Sequence, residues 1–405
     1  MDPVRNPYNP GAGTPPPALV GRDSLIESFG VVVQRALRGR PGQSLMPIGL
    51  RGVGKTVLLN RFIDDAQALG AQALIIEAPE DGNLRQLLAK EARRLLLQLD
   101  RKGALSQRVR RALRVFKSFS LKIGPDGSLT AGVDVDPEVG AADSGILAED
   151  VTDLFVALGE AVKDRNTALV IAVDELQYLS EEELAALIMA VHRTTQLQLP
   201  LVLVGAGLPQ LPALAGNAKS YAERLFTFPE IDRLSVGEAG LAVTRPAEEA
   251  GVTIEPDAVA SIMTHTRGYP YFLQEWAYGS WNVASGQSIR GSDVERAGPK
   301  VTQKLDSNFF RVRFDRLTPS ERRYLRAMAE LGPGPHRSGE IARRYGAKVE
   351  TVGPMRSALI RKGMIYSPAH GDTAFTVPLF DEFLKRAVSF ERRESKQTAR
   401  GRRAR

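Results

Sequence analysis

The run Gly49-Leu-Arg-Gly-Val-Gly-Lys-Thr56 constrains this chain more than any other feature, because it is a complete G-x-x-x-x-G-K-S/T set in the context such a loop requires. The apolar stretch Ser44–Leu50 leads into it, and Val57–Ile63 leaves it with helical spacing, so the segment reads strand, loop, helix. Each position has a chemical task. Gly52 and Gly54 let the backbone turn its N–H groups inward onto phosphate oxygens, and a Cβ would obstruct that cradle. Gly49, Arg51, Val53 and Val57 complete the nucleotide-binding segment. Lys55 reaches the β- and γ-phosphates, Thr56 offers its hydroxyl to Mg²⁺, and the N-terminus of the following helix adds free N–H groups and its dipole. Such a loop selects a nucleoside triphosphate with magnesium.

A second apolar run, Ala168–Val173, has the continuous hydrophobicity of a strand buried on both faces of a parallel sheet, and it delivers Asp174-Glu175 at its carboxyl end, the edge where ligands bind. In that position Asp174 holds the metal, through water, and Glu175 polarises the attacking water. Further strands are predicted at Ala73–Ile76, Leu201–Val204 and Leu225–Phe228, separated by helical stretches such as Leu84–Leu99 and Glu181–Val191. Alternation of this kind predicts an α/β fold. A turn at Gly124-Pro-Asp-Gly127 predicts a surface hairpin within Ser118–Thr130, to which no chemistry is assigned.

Taken together, Leu19-Val-Gly-Arg-Asp23, the phosphate loop, Val173-Asp-Glu175 and Ala222-Glu-Arg-Leu-Phe226 resemble AAA+ ATPases of the origin-recognition, or initiator, type over about residues 18–390. The resemblance implies a P-loop NTPase with a five-stranded parallel sheet, an α-helical lid and a winged helix. It places Val20 and Gly21 against adenine, making ATP and ADP the expected nucleotides. It also implies self-association, with Arg224 reaching a neighbouring subunit's γ-phosphate as an arginine finger; a solvated helix arginine is the other reading. Two departures stand out. Gly205-Ala206-Gly207 follows the strand where a polar sensor is expected, which predicts slow hydrolysis. In the lid, Gly268-Tyr269-Pro270 is similar to an element of STAND signalling ATPases, beside Arg267 as a substitute sensing arginine.

Charge divides unevenly along the 405 residues. Residues 308–390 carry 15 Lys/Arg against 8 Asp/Glu and residues 391–405 carry 7 against 2, so the overall +7 is entirely C-terminal and residues 1–307 sum to −5. Any polyanion is therefore expected to meet the last hundred residues. There, Thr318–Glu330, Ser338–Tyr345 and Val349–Lys362 have the lengths and caps of three helices, followed by a hairpin around His370-Gly371-Asp372. As a winged helix, this module puts its third helix in the major groove of double-stranded DNA, with Lys348, Arg356 and Arg361 outward. The competing reading makes it a relay to a protein partner.

The expected organisation is a flexible leader at 1–18, an ATPase domain at 19–235, a lid at 236–305, the winged helix at 308–390 and a disordered basic tail at 391–405. Ordinary hydrophobic (43%) and charged (25%) fractions point to a globular protein rather than a membrane one, and the absence of cysteine excludes disulfides and suits the cytoplasm.

Overall fold

The computed structural model describes residues 1–389 apart from 12, 41, 79–82, 101–105 and 124–132. Five parallel strands organise its first two thirds: β1 (Ser44–Leu45), β2 (Gln72–Glu77), β3 (Leu169–Asp174), β4 (Leu201–Gly205) and β5 (Phe226–Thr227). They form a three-stranded sheet in the order β2-β3-β4 and a parallel pair β1-β5, joined where Ile48 bridges Gly207 on one side and Glu230 on the other. The single five-stranded ladder expected from the sequence is thus interrupted beside β1. Pro47 explains the break, since it has no N–H to donate; only its carbonyl takes part, accepting from Gly207 at 3.2 Å.

Strand β3 is buried along its whole length, and its alternate residues enter different cores. Leu169, Ile171 and Val173 pack with Phe116, Phe155 and Leu187 from helices α4 (Gln107–Leu121), α5 (Leu147–Asp164) and α6 (Glu181–Gln196). Val170 and Ala172 pack with Phe29, Leu58 and Phe62 from α1 (Asp23–Leu37) and α2 (Lys55–Ala68). This two-sided burial is why the strand reads as an unbroken apolar run. Helix α3 (Leu84–Asp100) covers the β2 side, adding Leu88, Ala92 and Leu95 to the first core. Ser118–Leu121 continue α4 instead of opening a hairpin, and the Gly124–Gly127 turn lies outside the described residues.

A third core begins in the lid, built from α7 (Val236–Glu249), α8 (Pro256–Thr266), α9 (Pro270–Val283) and α10 (Gly291–Leu305), with a short parallel pair β6 (Thr253–Ile254) and β7 (Ser288–Ile289). It continues without interruption into the C-terminal module: Phe272 and Trp276 share one apolar cluster with Phe310, Tyr324, Phe380 and Phe383. A π-helical segment, Asp306–Phe310, and a short helix, Arg311–Phe314, make the connection. The module contains α11 (Pro319–Ala329), β8 (His336–Arg337), α12 (Ser338–Tyr345), α13 (Val349–Arg361), β9 (Ile365–Tyr366), β10 (Asp372–Phe375) and α14 (Phe380–Ala387), the three strands being antiparallel in the order β8-β10-β9. Thr318 and Glu321 form a reciprocal capping box on α11. The cap of α12 is Arg337 rather than Ser338, whose hydroxyl donates instead to the Gly371 carbonyl at 2.9 Å.

The leader does not behave as the flexible segment expected. Tyr8 is 2% exposed and its hydroxyl donates to the Val243 carbonyl, the Asn6 amide donates to the Tyr278 carbonyl at 3.1 Å, and the Trp281 indole donates to the Asp2 carbonyl at 3.0 Å. A buried tyrosine with a partnered hydroxyl anchors the strap to the lid, which composition rich in Pro and Gly concealed. Residues 391–405, expected to be a disordered tail, lie outside the described residues. Among the described residues, no helix is long and apolar enough to cross a membrane.

Candidate functional site

The carboxyl ends of the parallel strands open into a cavity of about 930 Å³ whose floor is the phosphate loop. Gly52 and Gly54 have φ of +79° and +94°, the left-handed region that favours glycine. Gly49 is required for a different reason: a Cβ there would stand 2.2 Å from the Ile231 carbonyl oxygen, so the first glycine permits close packing rather than a turn. Lys55 starts α2 and is 6% exposed, with its ammonium donating to the Gly49 and Leu50 carbonyls at 2.9 Å each. Burial pulls its pKa down to about 8 against the opposing pull of the Glu175 and Asp174 carboxylates.

Asp174 ends β3 and accepts from the Thr56 hydroxyl at 2.6 Å. Burial pushes its carboxyl above the usual range, more strongly than the Thr56 hydrogen bond opposes it. Among the described residues it has no ion pair. A buried carboxylate beside a hydroxyl, with the Lys55 charge nearby but not in a salt bridge, is an arrangement that a divalent ion would stabilise, so the residues present fit magnesium, held by Thr56 and Asp174. Such an ion would supply charge neutralisation at the phosphates.

Glu175 follows with φ of +55°, a left-handed conformation for a residue with a side chain, and its N–H donates to Asp174 Oδ1 at 2.8 Å. Strain of this kind concentrates at functional positions. Its carboxylate lies 3.5 Å from the Arg51 guanidinium and accepts from the Gln177 amide, and Gln177 Oε1 in turn accepts from the Leu208 N–H at 3.0 Å. Gln177 thus ties Glu175 to the segment after β4, where the sequence has Gly205-Ala206-Gly207 instead of the polar sensor of the family pattern. A Cβ on Gly205 would meet the buried Leu176 side chain, with Cδ1 at 2.2 Å, so a larger residue there would have to displace it.

The roof of the cavity comes from four separate segments. The strap contributes Asn9 and Thr14, with Val20 beside them. Gly21 does not line the cavity; its φ of +71° lies in the left-handed region that favours glycine, and it turns the chain into α1. The adjacent Arg22 clamps the Asp232 carbonyl at 2.7 Å. From the lid, Gly268 and Pro270 aim the start of α9 at the phosphate loop, where the Tyr271 N–H donates to the Gly52 carbonyl at 3.1 Å. Arg267 points away from the cavity and pairs with Glu382 of α14, so it does not sense nucleotide in this arrangement. From the connecting helix, Arg313 enters the cavity. The C-terminal module closes the fourth side: the Thr376 carbonyl accepts from the Arg51 N–H at 2.9 Å.

Val20, Arg51, Gly52, Val53, Gly54, Lys55, Thr56, Val57, Asp174 and Glu175 are thus gathered at one cavity. Arg224 is exposed on the short helix Ala222–Leu225, away from it. Lys348 and Arg361 are exposed at the two ends of α13. Arg356 does not point outward: it donates to the Thr373 hydroxyl and the Asp372 carbonyl, each at 2.8 Å, and to the Ser367 hydroxyl at 2.9 Å, which pins the hairpin to the helix.

The family profile described as an AAA ATPase domain matches residues 18–204, the span that contains both phosphate loop and paired carboxylates. Residues 18–204 are thus similar to an AAA ATPase domain. Residues 307–384 match a second family, described only as a domain of unknown function. No curated protein sequence matches the chain. Among solved structures, the Walker-type ATPase of Pyrococcus abyssi is similar at 16% identity and a TM-score of 0.53, over 90% of this chain and 96% of that one. The Orc1 protein of Aeropyrum pernix, solved in complex with DNA, is similar at 18% identity and a TM-score of 0.45, over 91% and 93% of the two chains. The RuvB Holliday junction branch migration motor of Thermotoga maritima is similar at 15% identity and 0.44, over 87% and 92%. The Pyrococcus likeness extends the agreement in fold beyond the AAA ATPase domain to most of the chain.

Proposed function

We propose that this protein is an ATP-binding switch that hydrolyses ATP slowly and uses its nucleotide state to set the position of its C-terminal module. One observation carries the reading: the backbone N–H of Arg51, inside the phosphate loop, is bonded to the Thr376 carbonyl of that module. Nucleotide bound at the loop and the module on its rim therefore share one structural element. Lys55 holds the β- and γ-phosphates, Thr56 and Asp174 hold magnesium, and Glu175, oriented by Gln177, takes the proton of the attacking water. The close Arg51–Glu175 pair competes for that carboxylate, which fits slow turnover. Arg224, exposed on the surface, suits a finger supplied to a neighbouring copy. Lack of cysteine fits a cytoplasmic setting.

The module's output has two readings. As a relay to a protein partner, of the STAND-like kind, it draws support from its shared core with the lid. As a winged helix on duplex DNA, it draws support from exposed Lys348 and Arg361 and the +7 charge of residues 308–390, with Arg356 now bracing the wing. Titration of the full chain with ATP and ADP, followed by duplex-DNA binding across a salt series with each nucleotide, tests both steps. Nucleotide-dependent, salt-sensitive DNA binding selects the DNA switch; nucleotide binding without it selects the relay, and no nucleotide binding removes the switch altogether.

A further inference from the structure

We propose that the N-terminal strap, residues 1–11 and 13–18, is a gate on the nucleotide cavity that moves with the lid as one piece and opens where it meets α2. The proposal rests on the reading of the cavity as an ATP site and adds the route by which nucleotide enters and leaves.

The strap joins two walls of the cavity. Asn9, Pro10, Gly11, Gly13 and Thr14 line it, between an anchor on the lid at Asn6 and Tyr8 and a contact on α2 at Gly13. The two ends are held unequally. On the lid, the Tyr8 ring belongs to the core that contains Phe272 and Trp276, and it lies edge-on to Trp281 with 6.5 Å between centroids. The Asn6 amide donates to the Asn282 side chain at 3.0 Å as well as to the Tyr278 carbonyl, and the Arg5 guanidinium donates to the Ala250 carbonyl at 3.2 Å. On α2, the strap has among the described residues one hydrogen bond, from the Asn60 amide to the Gly13 carbonyl at 3.4 Å, the long limit for such a bond. A buried aromatic ring backed by several hydrogen bonds outweighs one long hydrogen bond, so local opening starts at α2 and leaves the lid end in place.

The weak end sits at the phosphate site. A Cβ on Gly13 would stand 3.2 Å from Thr56 Cγ2, so the strap crosses beside the residue that fits magnesium. Its other end is coupled to the lid's own grip on the loop: the Asn9 N–H donates to Gln274 Oε1 at 3.4 Å, one turn of α9 beyond Tyr271, whose N–H is bonded to Gly52. Lid helix and strap therefore meet the phosphate loop and α2 together and leave them together, and a nucleotide between them is released when both lift.

The test locks and loosens the gate in the full chain. The sequence has no cysteine, so a pair introduced by Thr14→Cys and Asn60→Cys can be bridged with a short bis-methanethiosulfonate reagent and freed with reductant. Uptake and release of ADP labelled with methylanthraniloyl on the ribose are followed by stopped flow in the bridged and reduced forms, in wild type, and in Asn60→Ala and Tyr8→Ala. Bridging should lower both on-rate and off-rate about tenfold or more, and reduction should restore them. Asn60→Ala should raise both rates about two- to fivefold, the equivalent of one hydrogen bond. Tyr8→Ala, which frees the strap from the lid, should raise both further, the off-rate by more than the on-rate. Equal rates in the bridged and reduced forms would overturn the gate. So would a rise confined to the off-rate in Asn60→Ala and Tyr8→Ala, because a wall that only touches bound nucleotide does not slow its entry. A wild type that takes up no nucleotide overturns the ATP reading as well. Should Tyr8→Ala melt early, the bridged and reduced forms of the cysteine pair decide.

Discussion

The floor and the roof of the nucleotide cavity are built on different principles. The floor is local: the phosphate loop and the end of β3 are short segments held by glycine conformation, backbone hydrogen bonds and a two-sided core, and β3 is fully buried. The roof is assembled from the strap, the start of α9, the connecting helix and the C-terminal module, segments hundreds of residues apart that share one core and touch the phosphate loop through single backbone hydrogen bonds, Tyr271 to Gly52 and Arg51 to Thr376. A floor of this kind binds phosphate in one way, whereas a roof of this kind can be rearranged at modest cost by what sits beneath it.

The sharpest test of that division is Lys55→Ala, which removes the buried ammonium from the floor. Nucleotide binding measured by calorimetry should fall below detection, with the melting curve nearly unchanged or raised, because a desolvated cation is lost. Glu175→Gln should come next, leaving affinity intact while lowering phosphate release about 10²–10⁴-fold. Normal turnover in that variant would move the water-activating role elsewhere. Arg224→Ala should reduce turnover only at protein concentrations where copies assemble; an unchanged rate across a concentration series would remove the finger.

Roof variants should give smaller and more graded effects. Tyr8→Ala, which empties a buried ring site under the strap, should lower stability by about 3 kcal/mol in denaturant titration and weaken nucleotide affinity, whereas Tyr8→Phe loses only one hydrogen bond, about 1 kcal/mol. If strap variants left affinity untouched, the roof would consist of lid and module alone. The smallest expected effect is at Glu330. Hydrogen bonds from Arg326 and Arg344 hold its carboxyl below the usual range, so its contribution is present above the ordinary carboxylate pKa and is lost as pH falls through the lowered value. Glu330→Gln should flatten the acid side of the module's stability profile by at most about 1 kcal/mol.

Much of the floor was legible in the residues. The spacing of Gly49, Gly54, Lys55 and Thr56 dictates a loop whose backbone can do little else, and an unbroken apolar run ending in two carboxylates dictates a buried parallel strand with its acids at the ligand edge. Local chemistry and local geometry coincide there, so the resemblance to AAA+ ATPases and the matched domain agree. The C-terminal helices were legible for the same reason, through caps such as Thr318 and Glu321.

What only tertiary structure decided is whatever depends on a partner distant in sequence. Pro47 breaks the sheet because of where its neighbours lie, Gln177 ties Glu175 to the Leu208 backbone, and Arg356 braces a hairpin rather than facing outward. The leader looked flexible by composition, yet Tyr8 finds a cavity between lid helices that no local signal announces. Arg313 is one arginine among many in a basic stretch until the fold brings it to the cavity that Lys55 also lines. A sequence determines which groups can bind phosphate, because that chemistry is written within a few adjacent residues. Which groups face that phosphate from across the cavity is set by packing, because a contact between residues so far apart is fixed only when the cores between them have formed.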